Sequence, residues 1–371
     1  MTNSLRILLI ANSNEIGGGN RSLETLSLGL RQNEHAPYVV FPEEGPAPDL
    51  FREHGLKVII NPLNSPSTKS PFATLKSFFS WNKIIKEHSI DLIHANGSLA
   101  ARAVILSAKA NKKSVICHIR YDFGADYYQW AFKYIPSPNC FIFVSQSMEN
   151  SIKPALIKHS PSTKFNVVHN AVILSDTPIP VISLKVGRIG IIANFQAVKG
   201  HEDFFNMAKN LLESYPYLQF DVIGSDIQNE GRESILRNLI SKLNIEKSVT
   251  FHGHLSNIYP VIDMLDLVIC PSHEEPFGRC AIEAMSRGKP VVVTNVGGLP
   301  EIVEDKLNGF VVPPKSPEAL MNAVTKLIED LSMRQSMSKQ NILKVHEHFS
   351  QEGHTESILG IYSTQLRSSD K

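Results

Sequence analysis

The chain has few cysteines, no long hydrophobic run and almost no net charge, and each shortage excludes something. Its four cysteines, Cys117, Cys140, Cys270 and Cys280, form no CxxC spacing. That argues against a zinc ribbon or a disulfide framework. Three of them lie in or beside apolar runs (Val115-Ile116-Cys117, Cys140-Phe141-Ile142-Phe143, Val268-Ile269-Cys270) and read as buried thiols in a reducing compartment. The apolar run in the N-terminal stretch MTNSLRILLIAN is far too short for a signal or a membrane span, and none follows, so the expected location is the cytoplasm. A formal charge of +1 gives no reason to expect nucleic acid as a partner. No DxD-type acidic pair stands at a strand end, so no catalytic metal is expected. There is no tandem repeat and no low-complexity segment.

What is present is ordinary globular composition, with 42% hydrophobic and 20% charged residues. At 371 residues, two domains are expected. Charge divides unevenly: residues 1–180 hold 18 Lys/Arg against 13 Asp/Glu, and the remainder 19 against 23. Such asymmetry points to halves that face different partners.

Short β-branched runs alternate with helical patterns, as in βαβ units with a parallel sheet. Predicted strands in the first half are Arg6–Ala11, Tyr38–Pro42, Lys57–Asn61, Leu92–Ala95, Ser114–His118 and Phe141–Ser145, with helices such as Ser22–Arg31, Leu75–Glu87 and Leu99–Ala110 between them. Residues 173–187 carry two prolines and little periodicity, which predicts a linker. The alternation restarts with strands Arg188–Ala193, Phe220–Gly224, Val249–His252, Leu267–Cys270 and Val291–Thr294 and with helices near His201–Ser214 and Glu230–Leu243. A helical tail runs from Pro317 to the end, broken near Phe349–Gly353. Ligands of such sheets sit at the carboxyl ends of the strands.

The richest chemistry lies after Leu267–Cys270, where a polar loop with Glu275 leads into a helix beginning near Phe277-Gly278 and carrying Glu283. Gly278 permits close approach of a ligand to backbone. The first-turn N–H groups of the helix suit an anionic or hydroxyl-rich ligand. Glu275 and Glu283 are too far apart in sequence to share one proton, but they can reach opposite ends of a long ligand. Taken singly, each glutamate can also be a solvated loop or helix charge.

These residues, with Gly288-x-Pro290-Val-Val, Gly297-Gly298-x-x-Glu301-Ile-Val and Gly309-Phe-Val-Val-Pro313, resemble retaining family 4 glycosyltransferases of the GT-B type. The resemblance is dense from Arg188 to Asp330 and looser before it. It implies an α/β fold of two Rossmann-like parallel-sheet domains facing a central cleft. Residues 1–175 would bind the acceptor, 176–350 the nucleotide sugar, and the helix 351–371 would pack back toward the N-terminal domain. Glu283 would hold ribose hydroxyls, Glu275 the transferred sugar near its reacting carbon, and the amides at Phe277 and Gly278 the sugar hydroxyls. Lys199 would neutralise the donor diphosphate, where a fixed cation stabilises leaving-group charge. Gly253, between His252 and His254, would lie near the base, and Gly18 and Gly19 near the phosphate and sugar. His118 would approach the transferred sugar, although a histidine at a strand end can equally be structural.

The sequence departs from the family at Asn194, where a second phosphate-binding arginine is usual; Arg279 is a candidate to replace its charge. The implied activity is retaining transfer of a hexose-type sugar from UDP or GDP to a glycan or lipid-linked acceptor, in surface polysaccharide or lipopolysaccharide synthesis. The nucleotide sugar is a co-substrate, and no cofactor is implied. In retaining transfer a donor phosphate oxygen would serve as base toward the acceptor hydroxyl. A nucleotide-sugar 2-epimerase of the same fold, or a module that binds nucleotide sugar without catalysis, remains open. Residues 69–88 combine Lys69, Lys76, Lys83 and Lys86 with Phe72, Phe78, Phe79 and Trp81. They read either as an amphipathic core helix or as a segment lying on the inner membrane face.

Overall fold

The computed structural model describes residues 4–67, 69–175 and 177–369. The chain divides into two compact units, residues 1–173 with 351–371, and residues 174–350.

The first unit is built on seven parallel strands in the order β3-β2-β1-β4-β5-β6-β7. They are β1 (Arg6–Ile10), β2 (Ala36–Phe41), β3 (Lys57–Ile60), β4 (Leu92–Ala95), β5 (Ser114–Ile119), β6 (Cys140–Phe143) and β7 (Lys164–Val167). Every residue of β4, β5 and β6 is buried, as expected of central parallel strands covered on both faces. The edge strands β3 and β7 have no fully buried residue. Helices α1 (Gly18–Gln32), α2 (Pro46–Glu53), α3 (Pro71–Glu87), α4 (Ser98–Ala110), α5 (Ala125–Phe132) and α6 (Gln146–Ile157) connect the strands. The C-terminal helix α14 (Gln351–Ser369) also belongs to this unit. Its Ile358 and Tyr362 lie in the same core as Ile7, Leu26 and Phe51, and Gln351 Nε2 donates to the Thr25 carbonyl at 2.7 Å.

The second unit has six parallel strands in the order β10-β9-β8-β11-β12-β13. They are β8 (Arg188–Ile192), β9 (Gln219–Ile223), β10 (Val249–Gly253), β11 (Leu267–Cys270), β12 (Val291–Thr294) and β13 (Gly309–Val312). Around them run α7 (His201–Ser214), α8 (Arg232–Lys242), α9 (Tyr259–Met264), α10 (Arg279–Ser286), α11 (Leu299–Ile302), α12 (Pro317–Glu329) and α13 (Leu331–His348). Phe204, Phe205, Phe220, Leu267 and Ile269 are among the core residues joining α7 to the sheet. The strand order reverses between β8 and β11, so a crevice lies outside their carboxyl ends.

Strands β7 and β13 are additions to the predicted set, each four residues long. The helical tail breaks twice rather than once. Asp330 separates α12 from α13 because its side chain accepts from the Met333 amide at 2.8 Å and so begins a new helix. The predicted linker has no helix or strand in its described residues between Ile173 and Gly187, and Asp176 lies outside them. It is nevertheless held down. Arg287 donates to the carbonyls of Thr177 and Pro178 at 3.1 and 2.7 Å, and Arg334 to those of Ser183 and Leu184 at 3.0 and 2.9 Å.

Helix α3 packs as the amphipathic core helix of the first reading, with one face buried and the other exposed. Ser77, Trp81, Ile84 and Ile85 are buried inward, whereas Phe72, Leu75 and Phe79 are 87%, 53% and 61% exposed beside exposed Lys76, Lys83 and Lys86. Among the described residues no helix is long and apolar enough to cross a membrane.

Candidate functional site

At the reversal point of the second unit, the loop leaving β8 carries Lys199 and the loop leaving β11 carries Glu275. Their side chains meet at 2.8 Å, 16% and 13% exposed. Burial pushes the Lys199 ammonium down, but the charge and hydrogen bond of Glu275 outweigh it and hold its pKa above the usual lysine value. Ser272 Oγ supplies Glu275 with a second donor at 3.3 Å.

Two glycines let these loops close on one another. A Cβ at Gly200, φ 72°, would stand 2.0 Å from the Pro271 carbonyl oxygen, and one at Gly297, φ 51°, would stand 1.8 Å from that of Glu275. The His273 amide donates to the Val198 carbonyl at 2.7 Å and the Gly298 amide to the Glu275 carbonyl at 3.1 Å. Lys199 and Glu275 are thus fixed through their backbones as well as through their pairing.

Helix α10 starts after Gly278, with Phe277 buried beneath it. Glu283 lies one turn in and pairs with Arg279 at 2.9 Å, the two side chains 13% and 15% exposed. Arg279 was a candidate for the missing phosphate cation; its guanidinium is directed along its own helix to Glu283. Asn194 lies in the loop after β8, where its Oδ1 accepts from the Gln196 amide at 3.4 Å. Gly253, φ 70°, ends β10 and has open space where a Cβ would project. Its neighbour His252 bonds to the buried Asp221 at 2.7 Å, and Arg188 binds the same carboxylate. Among the described residues no group of three or more His, Cys, Asp or Glu is placed to hold a metal ion.

In the first unit Gly18 and Gly19 form the first turn of α1, and Asn96 Nδ2 donates to the Gly19 carbonyl at 3.0 Å. His118 was expected at the end of its strand, facing the sugar. It lies one residue inside β5 and is fully buried. Its Nδ1 faces Nε2 of His94 at 3.3 Å, and Nδ1 of His94 meets the Tyr362 hydroxyl at 2.8 Å. Burial, then the charge of Arg120, holds both imidazoles well below the usual histidine pKa. Neutral and enclosed, His118 presents no surface to a ligand here.

Two features escaped the sequence reading. One is an exposed aromatic strip after β5: Tyr121, Phe123 and Trp130 are 48%, 55% and 55% exposed, and Tyr127 bridges Phe123 and Trp130 at ring separations of 4.9 and 5.9 Å. The density of aromatics in Tyr121–Trp130 was its only signal. The other is the approach of Cys270 to Cys280, whose sulfurs stand 3.4 Å apart. Ten positions of sequence gave no sign of that contact.

Two family models match in series. "Glycosyltransferase Family 4" covers residues 16–176 and "Glycosyl transferases group 1" covers residues 179–344. The chain belongs to the family 4 glycosyltransferases of GT-B fold. Among curated relatives of this family, a D-inositol 3-phosphate glycosyltransferase of Corynebacterium urealyticum is 31% identical over 43% of this chain and 38% of its own length. A Campylobacter jejuni protein named N,N'-diacetylbacillosaminyl-diphospho-undecaprenol alpha-1,3-N-acetylgalactosaminyltransferase is 24% identical over 84% of this chain and 86% of its own. The chain spans only about a third to a half of the length of several curated relatives, 34% to 47%. The solved Anabaena Alr3699/HepE structure with UDP and glucose shares the fold, with TM-score 0.82 and 20% identity over 97% of this chain and 99% of that one.

Proposed function

We propose that this family member transfers a hexose-type sugar, with retention of configuration, from a UDP- or GDP-sugar held by its second unit to a glycan or lipid-linked acceptor. The observation that carries the reading is the Lys199–Glu275 pair at the strand-order reversal, where α/β sheets bind their ligands. A buried cation at that point suits a diphosphate leaving group, and Glu275 suits a sugar hydroxyl. Glu283, in the helix that opens just beyond, accepts from ribose hydroxyls. In the free protein both carboxylates are paired with cations, so donor binding exchanges Lys199–Glu275 and Arg279–Glu283 contacts for contacts to the ligand.

The chemistry assigned to the chain's own groups is modest. Lys199 stabilises charge that develops on the departing diphosphate, and Glu275 orients the sugar. A donor phosphate oxygen takes the acceptor proton on the face that the leaving group vacates, which retains configuration. The named acceptor of the Campylobacter relative supports a lipid-linked acceptor, and a role in surface polysaccharide or lipopolysaccharide synthesis follows from that reading. The outer face of α3, with Phe72, Leu75 and Phe79 among lysines, supports contact with an anionic membrane surface. A cytoplasmic location, at its inner face, belongs to the same proposal.

A thermal-shift screen against UDP, GDP, ADP and their sugar conjugates tests the donor assignment, because a ligand that binds only the native state raises its melting temperature. One nucleotide is expected to stabilise the wild type and not Glu283→Ala. No shift with any nucleotide at millimolar concentration would remove the donor site.

A further inference from the structure

Cys270 is the last residue of β11, and Cys280 is the second residue of α10. Their sulfurs stand 3.4 Å apart, inside van der Waals contact but well beyond the roughly 2.05 Å of a bond. Both are free thiols; Cys270 is buried and Cys280 part-exposed. Between them runs the loop that carries Glu275, Phe277 and Gly278, and one turn past Cys280 stands Glu283. The Lys199 ammonium lies close enough to feel both sulfurs. The remaining cysteines, Cys117 and Cys140, are buried in strands of the first unit.

We propose that Cys270 and Cys280 are a dithiol that is closed to a disulfide by a two-electron oxidant of the peroxide class, and that closure disables the nucleotide site built around them. The second half of this statement rests on the donor reading above; the first does not. Cys280, the less buried residue of the two, loses its proton and attacks a peroxide oxygen as its thiolate; the O–O bond breaks, and the departing hydroxide takes up that proton, giving a sulfenic acid and one water. Cys270 then attacks the Cys280 sulfur, its thiol proton leaves with the hydroxyl as a second water, and the S–S bond forms. Two thiols and one peroxide become one disulfide and two waters.

The geometry says what must move. Strand β11 is fixed between β8 and β12, so contraction to bonding distance draws the first turn of α10 toward the sheet. That turn has little slack, because Gly278 already packs where a Cβ would meet Leu299 at 2.5 Å. Displacing it shifts Arg279, Glu283 and the amides after Gly278 relative to Lys199 and Glu275. The Cys270 sulfur, then burial and the carboxylates of Glu275 and Glu283, push the Cys280 thiol well up. The reaction is therefore slow at neutral pH and quickens in alkaline solution.

The test treats the full reduced chain with hydrogen peroxide at alkaline pH, blocks remaining thiols with iodoacetamide and maps the tryptic peptides. Cleavage after Arg279 separates the two cysteines, so the disulfide appears as peptide 248–279 joined to peptide 280–287, lighter by two hydrogens and released by dithiothreitol. Nucleotide affinity, measured with UDP and GDP on the same samples, is expected to fall about tenfold or more on oxidation and to return on reduction. Cys280→Ser should show neither change. If that variant fails to fold, one-to-one capture of phenylarsine oxide by the wild type, blocked after peroxide treatment, reports the same pair. Peroxide that leaves 270 and 280 unjoined, or oxidises Cys280 only to sulfinic acid, overturns the dithiol. A joined pair with unchanged nucleotide affinity overturns the switch. If neither UDP nor GDP binds the reduced chain, the donor reading fails and the switch with it, while the peptide map still decides the dithiol.

Discussion

If the Lys199–Glu275 pair is a self-neutralised anion site, removing the carboxylate should improve nucleotide binding. Glu275→Gln keeps the size and most hydrogen bonding of the side chain and deletes one negative charge. In the free protein that charge holds Lys199 at 2.8 Å, with both side chains more than four-fifths buried. An arriving diphosphate must compete with it for Lys199 and is repelled by it. Unit charges about 5 Å apart interact by roughly 3 kcal/mol at an effective dielectric near 20, and residual exposure and lost solvation reduce the net to about 1–2 kcal/mol. UDP or GDP should therefore bind Glu275→Gln about 5- to 30-fold more tightly than wild type. The free variant should be less stable by about 1–3 kcal/mol, because a mostly buried ammonium loses its partner. Sugar transfer should fall despite the tighter binding, since Glu275 no longer orients the sugar. Titration calorimetry at fixed ionic strength reads the affinity, chemical denaturation the stability, and product formation the transfer. Lys199→Met is the control and should weaken nucleotide binding. Equal or weaker binding by Glu275→Gln would refute the competition, and the assignment of Lys199 to the diphosphate with it.

Three further outcomes are expected. His201 is buried and its pKa is lowered to about 4, chiefly by burial, whereas the unfolded chain binds that proton near pH 6.5. The unfolded state therefore gains protons first as pH falls, and about 3 kcal/mol of stability present above pH 6.5 is lost on the way to pH 4; His94 and His118 act in the same direction in the first unit. Denaturation across this range should show the loss, and His201→Phe should lessen it; an undiminished slope would count against the assignment. Arg287→Leu removes a side chain that binds Asp263 at 2.7 Å and holds two carbonyls of the preceding segment, and should cost about 3 kcal/mol with faster amide exchange after Ile173. Lys76→Glu, Lys83→Glu and Lys86→Glu together should abolish binding to anionic vesicles while leaving melting temperature nearly unchanged, because all three side chains are exposed. Undiminished vesicle binding would remove the membrane role of α3.

Most of the fold was legible because central parallel strands leave a distinct trace. Such strands are buried on both faces, so Leu267–Cys270 appears as an unbroken apolar run and Leu92–Ala95 and Ser114–Ile119 as runs interrupted only by His94, Ser114 and His118. The strands that escaped are β7, an edge strand with mixed residues, and β13, whose glycine start read as part of a motif. Within the site, Lys199, Glu275 and Glu283 were readable as loop and helix positions after strands, but their partners were not. Glu275 meets Lys199 across the loops of two strands far apart in sequence, and only the sheet order brings them together. His118 shows the opposite limit. Its place near a strand end suggested exposure, yet Tyr362, from the far end of the chain, belongs to the element that covers it.

The return of α14 to the first unit has a consequence for how the protein is made. Unit one consists of the first and last parts of the chain, and the second unit is inserted between them. On a ribosome, residues 174–350 emerge complete while the first unit still lacks the helix that supplies Ile358 and Tyr362 to its core. The usual order, N-terminal domain first, is thereby inverted for final consolidation. Until α14 has emerged, Leu26, Phe51 and their neighbours lack part of their cover, and the nascent chain displays that apolar surface to chaperones. A premature stop before Ile358 would leave residues 174–350 intact and the core of the first unit without Ile358 and Tyr362.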